Sequence, residues 1–288
     1  MERALIDFHT HPLLVQEMVA GNDELLHAQK KVFDIQNRLQ PLETFHLELD
    51  VSGLQRAVVL PLDARTAKGS QIFSNEQIAE LCRLSDRFVG FASVDPHRPD
   101  AAEQLERDVT RLGLRGLKLS PSLQEFAAND RDKAYPVYEA AQSLRIPLLI
   151  HAGMTWAPRS KSANPMDLED VAFDFPDLKI VIAHFGWPWV QETAMLCLKY
   201  DNVFADTSCL YHDAPWEFMR HVFTERLPLT LLERSLRHKV VFGSDYPRVE
   251  IKNMVRAVKE LGLSDQAQEM IFSKNARHLL GEAEATYK

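Results

Sequence analysis

Cysteine is scarce: Cys82, Cys197 and Cys209 are the only three in 288 residues, an odd number and widely spaced. A disulfide scaffold is not expected, and a reducing compartment is. Positive charge is in deficit as well. Lys and Arg number 33 against 41 Asp and Glu, a net charge of −8, which argues against a nucleic-acid surface. No apolar run approaches about eighteen residues, the length of a membrane span, and no charged-then-apolar leader is read at the start. The expectation is a soluble cytoplasmic protein that acts on a small molecule, with no nucleic-acid or membrane partner. A glycine-rich fingerprint after the first strand is missing, which counts against an open dinucleotide-binding sheet.

What is present is a rhythm. Apolar content is 45%, enough for a large core. Eight short, nearly all-apolar runs read as strands: Ala4–Phe8, Arg56–Leu60, Phe88–Val94, Leu114–Leu119, Leu148–Ile150, Lys179–Ala183, Val203–Ala205 and Lys239–Phe242. Helical patterns separate them. One begins at Ser74, which with Gln77 makes a capping box over Asn75–Asp86. Runs covered on both faces are expected in a parallel sheet, and eight βα units of this length fit a (β/α)₈ TIM barrel spanning 1–288 as a single domain. A doubly wound open sheet is the alternative. Residues 12–55 are too long for a plain βα turn. They read as a helical insertion near the active-site mouth, with helices at Asp23–Gln36 and Leu42–Val51 and with Pro12, Leu13, Leu14 and Phe33 placed to cap a cleft.

In such a barrel, reactive groups gather at the C-terminal ends of the strands. His9 and His11 end the first strand, one residue apart, and so share a side. Lys118 belongs to the fourth strand, His151 follows the fifth, His184 the sixth, Asp206 the seventh and Asp245 the eighth. Each has a bland reading. The histidines can be surface or backbone-bonded groups, Lys118 can snorkel, Asp206 can be a turn residue or the anchor of a ligand histidine, and Asp245 can be a turn residue before Tyr246-Pro247. Jointly the bland readings are harder to sustain, because closure aims all seven groups at one mouth.

The motifs Asp7-Phe8-His9-Thr10-His11, Gly116-Leu117-Lys118-Leu119, Ile150-His151-Ala152-Gly153, Ile182-Ala183-His184-Phe185-Gly186 and Phe242-Gly243-Ser244-Asp245-Tyr246-Pro247 resemble the amidohydrolase superfamily. The nearer resemblance is to the amidohydrolase-related branch of aminocarboxymuconate-semialdehyde decarboxylase relatives. It covers nearly the whole chain and is weakest between Pro12 and Gln55. It implies a divalent metal bound by His9, His11, His151 and Asp245. Zn²⁺ is expected first, and Mn²⁺ or Fe²⁺ suit the same donors. His184 then either binds a second metal or acts unligated as acid/base. Lys118 stands where some members carry a carboxylated lysine bridging two metals. Dimers are common in the branch.

The chemistry expected of this set is hydrolysis. A divalent ion activates water, Asp245 accepts and returns its proton, and His184 stabilises the oxyanion of an amide, ester or lactone. Non-oxidative decarboxylation of a small unsaturated or aromatic carboxylate is the alternative, and a non-enzymatic binding protein with a vestigial site is the second. Hydrolysis is preferred because the chain is compact for the branch's decarboxylases and because Trp187-Pro188-Trp189 replaces the glycine-rich run expected in them. Lys118 and Arg159 are the cations available for an acidic substrate. Trp156, Trp187 and Tyr246 are the aromatic contacts.

Overall fold

A computed structural model describes residues 5–32, 34–155, 159–208 and 214–282. Ten strands occur among them: β1 Ile6–Thr10, β2 Arg56–Val59, β3 Leu62–Ala64, β4 Ser70–Ile72, β5 Phe88–Gly90, β6 Leu117–Leu119, β7 Leu148–Ile150, β8 Ile180–Ile182, β9 Val203–Asp206 and β10 Val240–Val241. Eight of them pair in parallel, in the runs β1-β2-β5 and β6-β7-β8-β9-β10. Two bridges join the runs. Ala92 pairs with Leu117 beyond β5, and Thr10 pairs with Tyr246 beyond β10. The ring is closed, and the fold is the TIM barrel expected from the rhythm.

The alternation of side chains along each strand builds two cores. Phe8, Val58, Phe91, Leu149, Val181, Phe204 and Val241 fill the lumen. Their neighbours Val59, Leu117, Ile150, Ile182, Ala205 and Val240 pack outward in the larger cluster with the helices. Ala276, Leu279 and Leu280 of the last helix join the lumen cluster. Arg115 and Lys179, which precede their strands, donate to Leu280 O and His278 O at 2.5 and 2.7 Å. The last helix therefore seals the N-terminal face of the barrel, and the C-terminal face is left as the mouth.

The boundaries follow local chemistry. The helix Asn75–Leu84 begins at the expected capping box, in which Ser74 Oγ accepts from Gln77 N and Gln77 Oε1 accepts from Ser74 N. Between β1 and β2 the chain forms helices at Gln16–Val19, Asp23–His27 and Leu42–Ser52, with a wider turn at Ala28–Val32. Leu13 and Leu14 are buried in the outer core, and Phe33 lies outside the described residues. The hairpin of β3 and β4 was not expected. It reverses through Gly69 in the left-handed region (φ 64°), and its strands of three residues each are too short to show a period. Among the described residues no helix is long and apolar enough to cross a membrane.

Gly116 shows how tightly the lumen is filled. A Cβ there would sit 2.4 Å from the Phe91 ring, which itself meets Phe8 edge-on at 5.5 Å. Gly116→Ala is expected to destabilise the protein by about 1–3 kcal/mol through overpacking, read as a lower urea midpoint with an unchanged m-value.

Candidate active site

Alternation carries some of the site residues to the mouth directly. Leu149, Phe204 and Val241 face the lumen. The same parity points His151 and Asp206 inward, and it points Lys118 inward between outward Leu117 and Leu119. Asp245 shares the inward parity of Val241, whereas His9, His11 and His184 need a break in the pattern. Ile6 and Phe8 are lumen residues, so strict alternation would turn His9 and His11 outward. Instead β1 advances three residues, Asp7 to Thr10, while β2 advances two, Ala57 to Val59. This β-bulge reverses the parity. His184 and Phe185 adopt φ of 57° and 47°, and Asp245 adopts 63°. The left-handed pair His184 and Phe185 re-aims the chain after β8, whose lumen residues Val181 and Ala183 would leave His184 outward, and strained residues of this kind cluster at functional sites.

Three donor atoms converge. His9 Nε2 and His11 Nε2 lie 3.4 and 3.7 Å from Asp245 Oδ1, and the three donors fall within 4.8 Å of one another. Each ring is fixed through its other nitrogen. His11 Nδ1–H donates to Leu60 O at 3.1 Å, and His9 Nδ1–H donates to Asp206 Oδ2 at 2.7 Å. A carbonyl or carboxylate accepts only, so the proton is on Nδ1 and Nε2 carries the lone pair, the arrangement typical of metal-ligating histidines.

The remaining imidazoles form a second pair. His184 donates its amide to Asp206 Oδ1 at 2.8 Å, and its Nδ1 lies 2.8 Å from Ser208 Oγ and 3.3 Å from Ser208 O. With that proton on Nδ1, His184 Nε2 accepts from His151 Nδ1–H at 3.1 Å. His151 falls outside the His9, His11 and Asp245 cluster. Its Nε2 is buried with no hydrogen-bond partner among the described residues. By this chain of donors its lone pair is available to a metal or a ligand. A second set of close donors comprises His9, His184 and Asp206, but Asp206 is already engaged as the anchor of His9 and His184.

Burial governs the charges. It pushes His9, His11 and His184 well below the ordinary imidazole value and His151 to about 3, with Lys118 adding to each shift. All four are therefore neutral at neutral pH, the form that binds metal. Burial also raises Asp245 to about 7, against the pull of Arg248 and Lys118. Lys118 is buried 3.4 Å from His9 Nε2, and burial lowers it to about 8 against the pull of Asp206 and Asp245. Neutral imidazoles, a carboxylate and an unpartnered buried ring nitrogen together fit a divalent ion.

The expected substrate contacts are more dispersed. Trp156 lies outside the described residues. Arg159 is exposed and lines a separate cavity of about 520 Å³ with Ser122, Glu125, Phe126, Asp130 and Lys133, so that two cations there face two carboxylates. Tyr246 turns its ring onto Phe45, 4.7 Å away. Trp187 is partly buried against the outer core, and its carbonyl accepts from Met154 N at 2.7 Å. Sequence reasoning passed over Ser208, Arg248 and the carbonyl of Leu60. Of these only Ser208 had a signal, the polar run Asp206-Thr207-Ser208 after a strand.

Because Asp245 is the one proposed ligand that takes up a proton near neutrality, affinity for Zn²⁺ or Mn²⁺ is expected to fall about tenfold per pH unit below 7. The carboxylate must give up a proton to bind, while the imidazoles have none to lose until far lower pH. Chelator competition between pH 5 and 6.5 measures this slope, and a slope near three would mean protonated histidines. Asp206→Ala, which frees the His9 ring, is expected to weaken metal binding by about 10- to 100-fold in the same assay.

Comparison with known proteins finds relatives of the chain and of its fold. Among curated proteins, the chain is 26% identical over 251 residues to 2-keto-4-carboxy-3-hexenedioate hydratase of Sphingobium sp., covering 74% of this chain and 72% of that one. It is 27% identical over 303 aligned positions to gamma-resorcylate decarboxylase of Rhodococcus jostii, covering 89% and 90%. An uncharacterized TIM-barrel protein of Bordetella bronchiseptica superposes with a TM-score of 0.75 at 21% identity, over 97% of this chain and 99% of that one. So does 5-carboxyvanillate decarboxylase of Novosphingobium aromaticivorans, complexed with manganese and a nitrobenzoic acid, with a TM-score of 0.67 at 16% identity over 97% and 96%. Residues 6–281 match the family model described as Amidohydrolase, and the chain belongs to that family.

Proposed function

We propose that this protein is a metal-dependent carboxy-lyase that removes CO₂ without oxidation from a small unsaturated or aromatic carboxylate. The observation that carries the reading is Lys118, a buried cation 3.4 Å from His9 Nε2. Burial opposes its charge while Asp206 and Asp245 favour it, and with Asp206 anchoring His9 and Asp245 assigned to the ion, a substrate carboxylate is the further opposite charge a buried cation calls for. The names of both curated relatives specify unsaturated carboxylates, which supports the same class. The preference expected from sequence for hydrolysis thus moves to second place.

His9, His11 and Asp245, with His151 beside them, would hold the ion. When bound, it supplies Lewis acidity toward substrate oxygens. Zn²⁺ is the ion proposed first, and the manganese-bound relative makes Mn²⁺ the next to test. A second ion on Lys118 and His184 is left out of this reading, because Asp206, the carboxylate grouped with His184 and His9, already anchors both of them. Lys118 pairs with the departing carboxylate. His184 Nε2 takes a proton from a substrate hydroxyl or solvent and delivers it to the carbon that loses CO₂. The electron pair of the broken carbon–carboxyl bond ends in the new C–H bond. Asp206, which accepts from the His184 amide, offsets the transient imidazolium charge. Arg159 and its cavity are the proposed outer contact for a second acidic group.

Addition of water is the second reading, as hydration or hydrolysis. It is favoured by Asp245 Oδ1 standing 3.4 Å from His9 Nε2, where a carboxylate can take a proton from water.

Metal-loaded protein assayed against hydroxybenzoates, unsaturated di- and tricarboxylates and lactones is expected to release CO₂. Consumption of water without CO₂ would assign the second reading. Lys118→Met is expected to lower kcat/KM by roughly 10- to 100-fold, the loss of a charged hydrogen bond, mainly through KM. An unchanged KM would remove Lys118 from substrate binding.

A further inference from the structure

The bulge that turns His9 toward the mouth also leaves a backbone group without a ladder partner. The extra residue of a bulge is unpaired, and a buried amide without a partner is costly. Here the His9 amide is taken by the side chain of Asp7, whose Oδ1 accepts from it at 3.1 Å. The same oxygen accepts from the Ser244 amide at 3.0 Å, across the seam between β1 and the segment after β10. Asp7 is fully buried. One carboxylate oxygen therefore holds the backbone of His9 and the residue before Asp245. Two further contacts make this seam unforgiving. Asp245 N donates to His9 O at 2.9 Å, and a Cβ on Gly243 would meet His9 Cβ at 2.8 Å.

We infer that Asp7 is a positioning residue for the metal site. Its Oδ1 locks the bulge and the seam together, and that lock places His9 Nε2 and Asp245 Oδ1 at their 3.4 Å separation. The geometry has no simple substitute. Without an acceptor for the His9 amide, regular pairing with β2 becomes the competing arrangement, and regular pairing turns His9 and His11 to the wrong face. An acceptor on any other strand would satisfy one amide but not tie the two ligand-bearing segments to each other. The role requires a planar group with an oxygen at the carboxylate position, and it does not require a charge.

The inference rests on the proposed metal site, so its test uses one readout that needs metal and one that does not. Asp7→Asn keeps an acceptor oxygen, Asp7→Ser can reach the His9 amide two residues on but not Ser244, and Asp7→Leu keeps bulk without an acceptor. In Co²⁺ titrations followed by the visible d–d bands, Asp7→Asn is expected to match the wild type. Asp7→Leu is expected to bind about 10- to 100-fold more weakly with altered bands, the usual cost of removing an outer-shell partner, and Asp7→Ser to fall between. In metal-free protein, NMR amide exchange is expected to quicken at His9 and Ser244 in Asp7→Leu, and at Ser244 alone in Asp7→Ser, while distant barrel amides stay protected. Unchanged Co²⁺ affinity and spectrum in Asp7→Leu would overturn the inference, as would equal losses in Asp7→Asn and Asp7→Leu. If Asp7→Leu does not fold, the same comparisons between Asp7→Asn and Asp7→Ser decide it. A wild type that takes up no Co²⁺, together with the expected exchange pattern, would reject the metal reading and leave Asp7 as the lock of the seam.

Discussion

Three backbone hydrogen bonds close the ring between the first and last barrel strands. Phe8 N donates to Phe242 O, Asp245 N to His9 O and His11 N to Tyr246 O, all between 2.7 and 2.9 Å. Residues more than 230 positions apart in the chain become neighbours through these bonds. A barrel that failed to close there would leave His9 and His11 on one edge and Asp245 on another. The site is therefore a product of closure, and the packed lumen below it is what makes closure stable. The apolar side chains of β1, β2, β5 and β7–β10 meet in one cluster, and the last helix seals its lower end. The polar groups are left only the upper rim.

Above that floor the site is organised by hydrogen bonds that leave little freedom to the rings. Leu60 O, Asp206 and Ser208 each take a ring proton or an amide from a histidine. Together they settle the protonation of four imidazoles in one consistent scheme, with every Nε2 presented as a lone pair. Burial then keeps the rings neutral. The same burial opposes charge on Asp245 and Lys118, so the mouth holds an acid and a base whose ionisation is balanced near neutrality. Groups with displaced ionisation in a common cleft are a hallmark of catalytic sites, and here the displacement has a plain origin in depth below the surface.

The comparisons illustrate how far a shared frame constrains chemistry. A hydratase and a decarboxylase both align with this chain at under 30% identity. One frame evidently serves both the addition of water and the loss of CO₂. The residues expected to touch substrate lie in the segments beyond the strands. That is the part of the chain where the expected contacts Arg159, Trp187 and Tyr246 do not gather at the metal cluster but stand in a side cavity, against the outer core and against Phe45.

Much of this was legible before any coordinates. Leu148–Ile150 was read residue for residue, and the other barrel strands to within a few residues, because short apolar runs covered on both faces carry their own signal. The capping box at Ser74 was legible because its chemistry is local. His151, Asp206, Lys118 and Asp245 lie where alternation from a lumen residue, or between outward neighbours, carries them. His9, His11 and His184 stand in recognisable motifs, yet their aim does not follow from alternation. The sequence by itself determined the alternation of strands and helices, the closed barrel that follows from it, and the kinds of donor at the strand ends. The tertiary structure decided which way those donors face. A one-residue bulge turns His9 and His11 inward, and the left-handed pair His184 and Phe185 breaks the alternation of β8 at His184. Such reversals are held by partners distant in the chain, Ser244 for the bulge and Asp206 for His184, so nothing in the neighbouring residues announces them.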